Sequence, residues 1–371
     1  MEQTVSAKNS DAQTPVSIGM DIGGTFAKFV LLDKNDGARD HQEHAHPLEK
    51  VIRELAQEAT QDALPRGWIT ETIDTDQEPE DGSAMVFRAL GVPTTELDKL
   101  VAMAEAATTK PTGCIKAPVL RVAATGGGAL RLKDELESKL AVDMAVMHEL
   151  QSLVRGWQLG MKTFEQQVPA LICSVGTGVS MVHVTGKGGA GFERVSGSGI
   201  GASTFWTLAK RMTSFESFEV AVLAATSSGD AQKVDVLVGD IYGAETSKAI
   251  GMPPDLVAGF LGKLDDPRLT DADIVAALLR MFVSNLGQLA VFQARLLELG
   301  SVWFAGGCFG SVGKASDGEE ARACMAVRKA FEESVGFWSA GKIVARFPNN
   351  ASFLGAAGAM FEAASGTKKS E

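Results

Sequence analysis

The chain has 371 residues, with 35 Lys and Arg against 46 Asp and Glu, a formal charge of −11 and 45% hydrophobic residues. That length allows about two domains with real cores. No basic stripe marks a nucleic-acid surface, and no apolar run reaches the roughly 18 residues of a membrane span. Cys114, Cys173, Cys308 and Cys324 lack metal-type spacing and read as free thiols in a reducing compartment, so a cytoplasmic location is expected.

In chain order, residues 1–15 are polar, lack Arg and fit neither a signal nor a transit peptide, so they read as a disordered tail. Val16–Met20 and Thr25–Leu32 read as strands around Asp21-Ile22-Gly23-Gly24-Thr25. Residues 33–82 are polar, broken by Pro47, Pro65 and Pro79, and read as a variable insertion with one helix over Val51–Ala59. Within it, His41-Gln42-Glu43-His44-Ala45-His46 has metal-ligand residue types without ordered flanks, and a solvated loop is expected. Ala84–Leu90 predicts a strand, Thr94–Ala107 a helix behind Pro93, and Val119–Ala124 a strand entering Gly126–Gly128. A helix over Leu130–Leu140, a strand-like Val142–Met147 and a helix over Glu149–Leu159 follow, with Pro169 at the expected boundary between lobes.

The second half opens with strands Ala170–Val175 and Val179–Val184 around Gly176-Thr177-Gly178, then a reversal over Gly186–Gly191. Helices are expected over Ser203–Met212, Asp271–Leu299, Ala323–Val335 and Phe353–Ala363. Strands are expected at Val302–Ala305, ending in Gly306-Gly307, and at Ile343–Arg346. Alternating strands and helices, with no repeat of 20–50 residues, imply an α/β protein of two similar lobes. The lobes are placed at 16–168 and 169–365, leaving a tail at 366–371.

The chemistry sits at the glycine turns. Glycine lets backbone N–H groups approach phosphate oxygens, and a threonine at each tip adds a hydroxyl, so two strand–turn–strand hairpins suit a triphosphate held between lobes. Asp21 could order Mg²⁺ through water, and Lys28 could reach a phosphate oxygen; the alternative for Asp21 is a turn cap. Glu149 is the best candidate base, and equally a first-turn acid favoured by the helix dipole. His148 reads as its orienting or partly exposed neighbour. Arg194 offers a donor fork for phosphoryl or substrate oxygens, while its residue context alone favours a surface pair with Glu193. Trp338 reads by default as core.

These stretches together resemble the type II pantothenate kinases of the actin/hexokinase/Hsp70-like phosphotransferase superfamily. The resemblance rests on Gly19-Met20-Asp21-Ile22-Gly23-Gly24-Thr25 with Lys28, on Ala124-Thr125-Gly126-Gly127-Gly128-Ala129, and on Glu149-Leu150 with Leu153-Val154-Arg155-Gly156. It continues through Val175–Ser180, Arg194–Ser198, Thr204-Phe205-Trp206 and the unusual string Val234–Gly243. It implies a two-lobed actin-like (ribonuclease H-like) fold with a nucleotide cleft between lobes, and ATP- and Mg²⁺-dependent phosphorylation of pantothenate. By position, Glu149 matches the family's catalytic base and Arg194 its substrate- and transition-state arginine. Gly176–Gly178, Val179 and Ser180 would face phosphate and substrate, Ala258 would line the pantothenate site, and Gly306-Gly307 the adenosine site. Trp338 would close the pocket from the partner subunit of a homodimer, and CoA or an acyl-CoA would be the feedback ligand.

The chain departs from the family pattern at His148 (usually Asp), Thr177 (Ser), Gly307 (Asn), Ala202-Ser203 (two glycines) and Asn349-Asn350-Ala351 (acidic-Gly). Two rival readings share the fold: a sugar or N-acetylhexosamine kinase, and a non-catalytic member that binds nucleotide or CoA thioesters.

Overall fold

The computed structural model describes residues 18–33, 46–57, 69–74, 86–108, 120–159, 167–186, 191–310 and 318–364. The expectations for residues 1–15 and 366–371, for Cys114, for His41–Ala45 and for most of the insertion concern residues outside these.

In chain order the first half holds β1 (Ile18–Ile22), β2 (Phe26–Asp33), α1 (Pro47–Gln57), β3 (Ile69–Asp74), β4 (Val86–Pro93), α2 (Leu97–Thr108), β5 (Leu120–Thr125), α3 (Gly127–Leu140), β6 (Val142–Val146) and α4 (Glu149–Leu159). The second half holds β7 (Ala170–Val175), β8 (Val179–Val184), β9 (Phe192–Ser198), α5 (Ala202–Met212), α6 (Phe218–Ser227), β10 (Val236–Leu237), α7 (Val238–Tyr242), α8 (Ala244–Ala249), β11 (Val257–Gly259), α9 (Asp271–Leu296), β12 (Ser301–Ala305), α10 (Glu319–Ser339), β13 (Val344–Arg346) and α11 (Leu354–Ala364).

The strands form two sheets of the same design. The first runs β3-β4-β2-β1-β5-β6 and the second β13-β12-β7-β8-β9, with β10 and β11 as a separate pair. In each sheet the opening strand (β1, β7) pairs antiparallel with its hairpin partner on one side and parallel with a later strand (β5, β12) on the other. Read from the antiparallel edge, β4-β2-β1-β5-β6 and β9-β8-β7-β12-β13 repeat one connection order, that of a ribonuclease H-like lobe, with β3 added at the first edge. The α/β expectation and the two similar lobes thus stand on the strand order itself.

Alternation on β1 sends Ile18, Met20 and Ile22 into the core beneath α1, α2 and α3, and turns Gly19 and Asp21 to the opposite face. That opposite face packs on α11, where a Cβ on Gly19 would strike the Ala356 carbonyl oxygen. The second core gathers Phe205, Phe282, Phe304, Phe309 and Phe331 around α9 and α10. Among the described residues α9 alone is long and apolar enough to cross a membrane, and most of its apolar window is buried in this core.

Helices α4 and α11 cross over between the sheets. α4 packs Leu153, Val154 and Trp157 on Ile172, Val182 and Trp303 of the second sheet. α11, from the end of the chain, packs Ala356, Ala357 and Met360 on Val30, Phe87 and Ala89 of the first. The two helices meet backbone to backbone: a Cβ on Gly156 would overlap the Leu354 carbonyl oxygen, and one on Gly358 that of Ser152.

Three expectations need correction. His46 is buried rather than solvated; its Nδ1 accepts the Leu48 N–H at 3.2 Å and its carbonyl accepts that of Lys50 at 3.0 Å, so it opens α1. Arg194, which the sequence places between the second hairpin and the helix entry, stands on a strand of its own, β9. Trp338 lies inside α10, which runs four residues past the expected end at Val335 and stops at left-handed Ala340.

Candidate active site

The two glycine turns form the centre of the site. In the first, Gly23 N–H donates to the Phe26 carbonyl at 2.9 Å, while Thr94 holds the turn from outside: its hydroxyl donates to Gly23 O at 3.0 Å and its N–H to Thr25 O at 2.9 Å. In the second, Gly176 N–H donates to Gly178 O at 2.8 Å, and the opening of α5 holds the turn. Ala202 N–H donates to Gly176 O and the Ser203 hydroxyl to Thr177 O, both at 2.9 Å. The tips meet across the cleft, with Thr25 Oγ1 and Thr177 Oγ1 3.0 Å apart. A Cβ on Gly23 would come no nearer than 3.4 Å to the surrounding protein, and one on Gly176 no nearer than 3.9 Å. Neither glycine is there to let the protein pack; both leave open the space in front of the turn.

Asp21 sits just before the first turn, in register with Lys28 on β2 and Thr125 on β5. Its carboxylate lies between two glycines that could not carry a side chain. A Cβ on Gly126 would approach Oδ1 to 2.8 Å, and one on Gly355 of α11 would approach Oδ2 to 2.5 Å. Burial raises the Asp21 pKa, and the Lys28 ammonium only partly offsets it. Lys28 also bears on the second lobe. Burial pushes the Cys308 thiol far up, and the Lys28 charge is among the influences pulling it back.

Glu149 is the first residue of α4. The turn before it is tied to β5, with Met147 N–H donating to Ala124 O at 2.7 Å and Thr125 Oγ1 to Met147 O at 3.3 Å. This brings the Glu149 carboxylate within electrostatic reach of Asp21. Its pKa is raised, first by burial and then by the Asp21 charge, with His148 pulling the other way. His148 takes the helix-cap position: its Nδ1 accepts the Gln151 N–H at 3.3 Å, its carbonyl accepts the Ser152 N–H at 2.9 Å, and its ring lies 6.0 Å from that of Phe192. An Asp would cap the same N–H, so the substitution keeps the cap and removes a negative charge beside Glu149.

Arg194 does not pair with Glu193. Its Nε–H donates to Ser180 Oγ at 3.3 Å across the β8–β9 ladder, while Glu193 stands in register with His183. Val179, beside Ser180, is buried in the second core.

Gly306 and Gly307 follow β12, whose Ala305 pairs with Ser174 beside the second turn. Gly306 has φ 132° and fits against the Val175 carbonyl where no Cβ could. Its N–H donates to Ala351 O at 2.9 Å, which brings the atypical Asn349–Ala351 segment to this edge. Gly307 faces open space. Ala258 lies exposed on β11, joined to the cluster by no hydrogen bond among the described residues. Trp338 is half-buried against its own chain's core, with its ring 5.2 Å from Phe337 and its carbonyl accepting from Arg295 at 2.7 Å.

The structure therefore brings together Asp21, Gly23, Gly24, Thr25, Lys28, Gly176, Thr177, Gly178 and Glu149, with Gly306 and Gly307 at the adjoining edge. Arg194 and Ser180 stand on the neighbouring strands, and no hydrogen bond among the described residues joins Ala258 or Trp338 to the cluster. Sequence reasoning gave no role to Thr94, Ser203 or Gly355, and singled out Gly126 only as part of a glycine-rich turn. Ser203 could have been found as a hydroxyl opening the helix after the second turn; Gly355 carries no local signal, because only the fold carries it to Asp21.

The Fumble family model matches residues 17–362. Pantothenate kinase 1 of Arabidopsis thaliana is 33% identical over 264 residues, covering 65% of this chain and 65% of that protein. Pantothenate kinase 2 of Oryza sativa subsp. japonica is 33% identical over 262 residues, covering 64% of this chain and 27% of that protein. A 4′-phosphopantetheine phosphatase of Mus musculus is 30% identical over 266 residues, covering 66% of this chain and 30% of that protein. The aligned region spans between about a quarter and two thirds of these relatives' lengths. Among solved structures, a ROK family glucokinase from Streptomyces griseus in complex with glucose and AMPPNP aligns over 94% of this chain and 98% of its own, at 15% identity and a TM-score of 0.43. With a match that runs from the first strand almost to the end of the last helix, the chain belongs to the Fumble family, that of the type II pantothenate kinases.

Proposed function

We propose that this chain transfers the γ-phosphoryl group of ATP to the primary hydroxyl of pantothenate, giving 4′-phosphopantothenate, the first step of coenzyme A biosynthesis. The observation that carries the reading is the opposed pair of glycine turns, Thr25 against Thr177, with the Asp21 and Glu149 carboxylates beside them. Backbone amides on both sides and the Lys28 ammonium would hold the phosphates. Glu149 accepts the hydroxyl proton as the hydroxyl oxygen bonds to phosphorus and the bond to the β-phosphate oxygen breaks. Arg194 and Ser180 orient the acceptor and the transferring group, Ala258 lines the pantothenate site, and Gly306-Gly307 admit the adenosine.

Asp21 suits a Mg²⁺ ion. The residue keeps some exposed surface, while its carboxylate lies in a slot between two glycines and accepts no hydrogen bond among the described residues. Mg²⁺ commonly takes one or two carboxylates with waters and phosphate oxygens, so no larger acidic cluster is required, and none is found among the described residues. Bound there, the ion would supply positive charge to the β- and γ-phosphates.

The test is transfer from ATP with Mg²⁺ to pantothenate, glucose or N-acetylglucosamine, with products identified by mass spectrometry. Phosphorylated pantothenate is expected. A phosphorylated sugar would move the chain to the sugar kinases. Nucleotide or CoA thioester binding without any transfer would favour the non-catalytic reading, and release of phosphate from 4′-phosphopantetheine would overturn the kinase assignment.

The proposal extends to a homodimer in which the partner subunit's Trp338 closes the pocket, to CoA or acyl-CoA as feedback ligand, and to a cytoplasmic location. An exposed apolar row on α9, Leu289, Phe292 and Leu296, together with exposed Phe337 on α10, supports the dimer. Buried free thiols at Cys173, Cys308 and Cys324 suit a reducing compartment. Sedimentation of an active monomer would remove the shared pocket.

A further inference from the structure

β9 contains a bulge, and it falls beside Arg194. On β8, Ser180 pairs with Gly197 and Met181 with Ser196, but the next residue, Val182, pairs with Arg194, so Val195 is the extra residue. In a regular strand, Arg194 and Gly197 would point to opposite faces, because they are three positions apart. The bulge puts both on the face that carries Ser180 and Val182. That is also the face on which α4 lies, since Val182 packs with Leu153, Val154 and Trp157 of that helix.

On that face the Arg194 guanidinium lies against Gly197. A Cβ on Gly197 would overlap Arg194 Nη2, and would also come within 2.5 Å of the Val179 carbonyl oxygen. The same guanidinium donates from Nε to Ser180 Oγ. Gly199, two residues further on, would place its Cβ in open space. Glycine is therefore demanded at 197 by the arginine lying on it and by the neighbouring strand, not by a left-handed backbone.

We propose that Gly197 and the Val195 bulge form a seat that fixes the Arg194 guanidinium over β8 with its Nη groups presented to the acceptor, making Gly197 a positioning residue for phosphoryl transfer. The catalytic half of this statement rests on the kinase reading; the seat itself does not. The bulge sets the face, Gly197 sets the height of the guanidinium above the sheet, and Ser180 sets its rotation. Arginine's planar fork makes such a seat effective, because two points of support fix all its remaining donors.

The test has two arms that fail separately. In the first, the protein is labelled with ¹⁵N-arginine, and the Arg194 Nε–H resonance is identified by its loss in Arg194→Lys. Gly197→Ala should move this resonance and speed its exchange with water, whereas Gly199→Ala should leave it in place. If Gly197→Ala does not fold, Ser180→Ala decides, since it removes the acceptor without adding an atom, and faster exchange is again expected. An unmoved resonance overturns the seat whatever reaction the enzyme performs. In the second arm, Gly197→Ala should lower kcat/KM for pantothenate by roughly 10–100-fold, the scale of a small misplacement of a reacting group, with ATP affinity by calorimetry unchanged. In an Arg194→Ala background the same substitution should cost no more than about twofold, because the two residues act as one unit. An equal loss in both backgrounds would make Gly197 a packing residue only. A wild-type chain that does not phosphorylate pantothenate would overturn the kinase reading and leave the first arm standing.

Discussion

Asp21 and Glu149 bring two negative charges into one small space, and burial raises the pKa of each. A general base works in its ionised form, and a raised pKa delays that ionisation to higher pH. The acid limb of kcat/KM should therefore lie above the ordinary glutamate value of about 4.3, and Glu149→Gln should lower turnover ~10²–10⁴-fold while ATP still binds. A limb at or below the ordinary value, or near-wild-type turnover in the variant, would remove Glu149 from the mechanism. Asp21 gives a second prediction through its effect on stability. Its folded pKa exceeds its unfolded one, so the native state holds this proton more tightly, and stability falls as pH rises from the unfolded value through the folded one. The unfolded value lies well below neutrality, so at pH 7 this loss is already present. Asp21→Asn should then raise the melting temperature at pH 7 and abolish ATP binding, a gain in stability at the expense of function. Calorimetry measures both; unchanged ATP affinity would reduce Asp21 to a turn residue.

The element scale separates what the chain's pattern announces from what only the fold assembles. β7 and β8 are legible because apolar runs flank a glycine turn, and α4 because Glu149 opens an apolar-periodic stretch. β9 is not, since Phe192-Glu193-Arg194-Val195-Ser196-Gly197 loses its alternation at the bulge. α10 runs past Gly336 because that glycine lies on an open side of the helix, where nothing nearby forces the chain to stop. The elements of Val234–Gly243 are too short for periodicity and are held by acids instead. Asp240 accepts the Leu237 N–H at 2.8 Å and pairs with Lys263 at 2.9 Å; buried Asp235 accepts the Leu261 N–H at 2.8 Å and the Arg280 Nε–H at 2.8 Å. The string singled out from the sequence is in this respect a scaffold beneath β10, β11 and Ala258. Arg280→Met would leave the Asp235 carboxylate buried without its cation, at a cost of about 3–5 kcal/mol. Denaturant unfolding measures this, and a loss below about 1 kcal/mol, the size of a surface pair, would show that the string is not held this way.

At the scale of the whole molecule, the site depends on two helices that each belong to one half of the sequence and pack on the sheet of the other. α4 carries Glu149 at its start and seats its apolar face on the second sheet; α11 brings Gly355 to Asp21 and seats its own on the first. Their crossing at Gly156 and Gly358 has no room for a methyl group, and the atoms in the way are backbone carbonyl oxygens that cannot rotate aside. Gly358→Ala must therefore push the helices apart, at a cost of about 1–3 kcal/mol for overpacking, and the displacement carries to both carboxylates. A second close crossing gives the control. Gly287 of α9 faces Ser334 of α10 within the second core, and there the nearest atom is a serine hydroxyl. If the α4–α11 crossing is the pivot of the two lobes, Gly358→Ala should lower kcat beyond what its stability loss explains at a temperature where the variant is fully folded. Gly287→Ala should cost stability alone. Both variants are compared by unfolding free energy and by kcat under those conditions. Equal effects on kcat, or a Gly358→Ala enzyme with wild-type turnover, would show that Glu149 is positioned by its own turn on β5 rather than by the crossing.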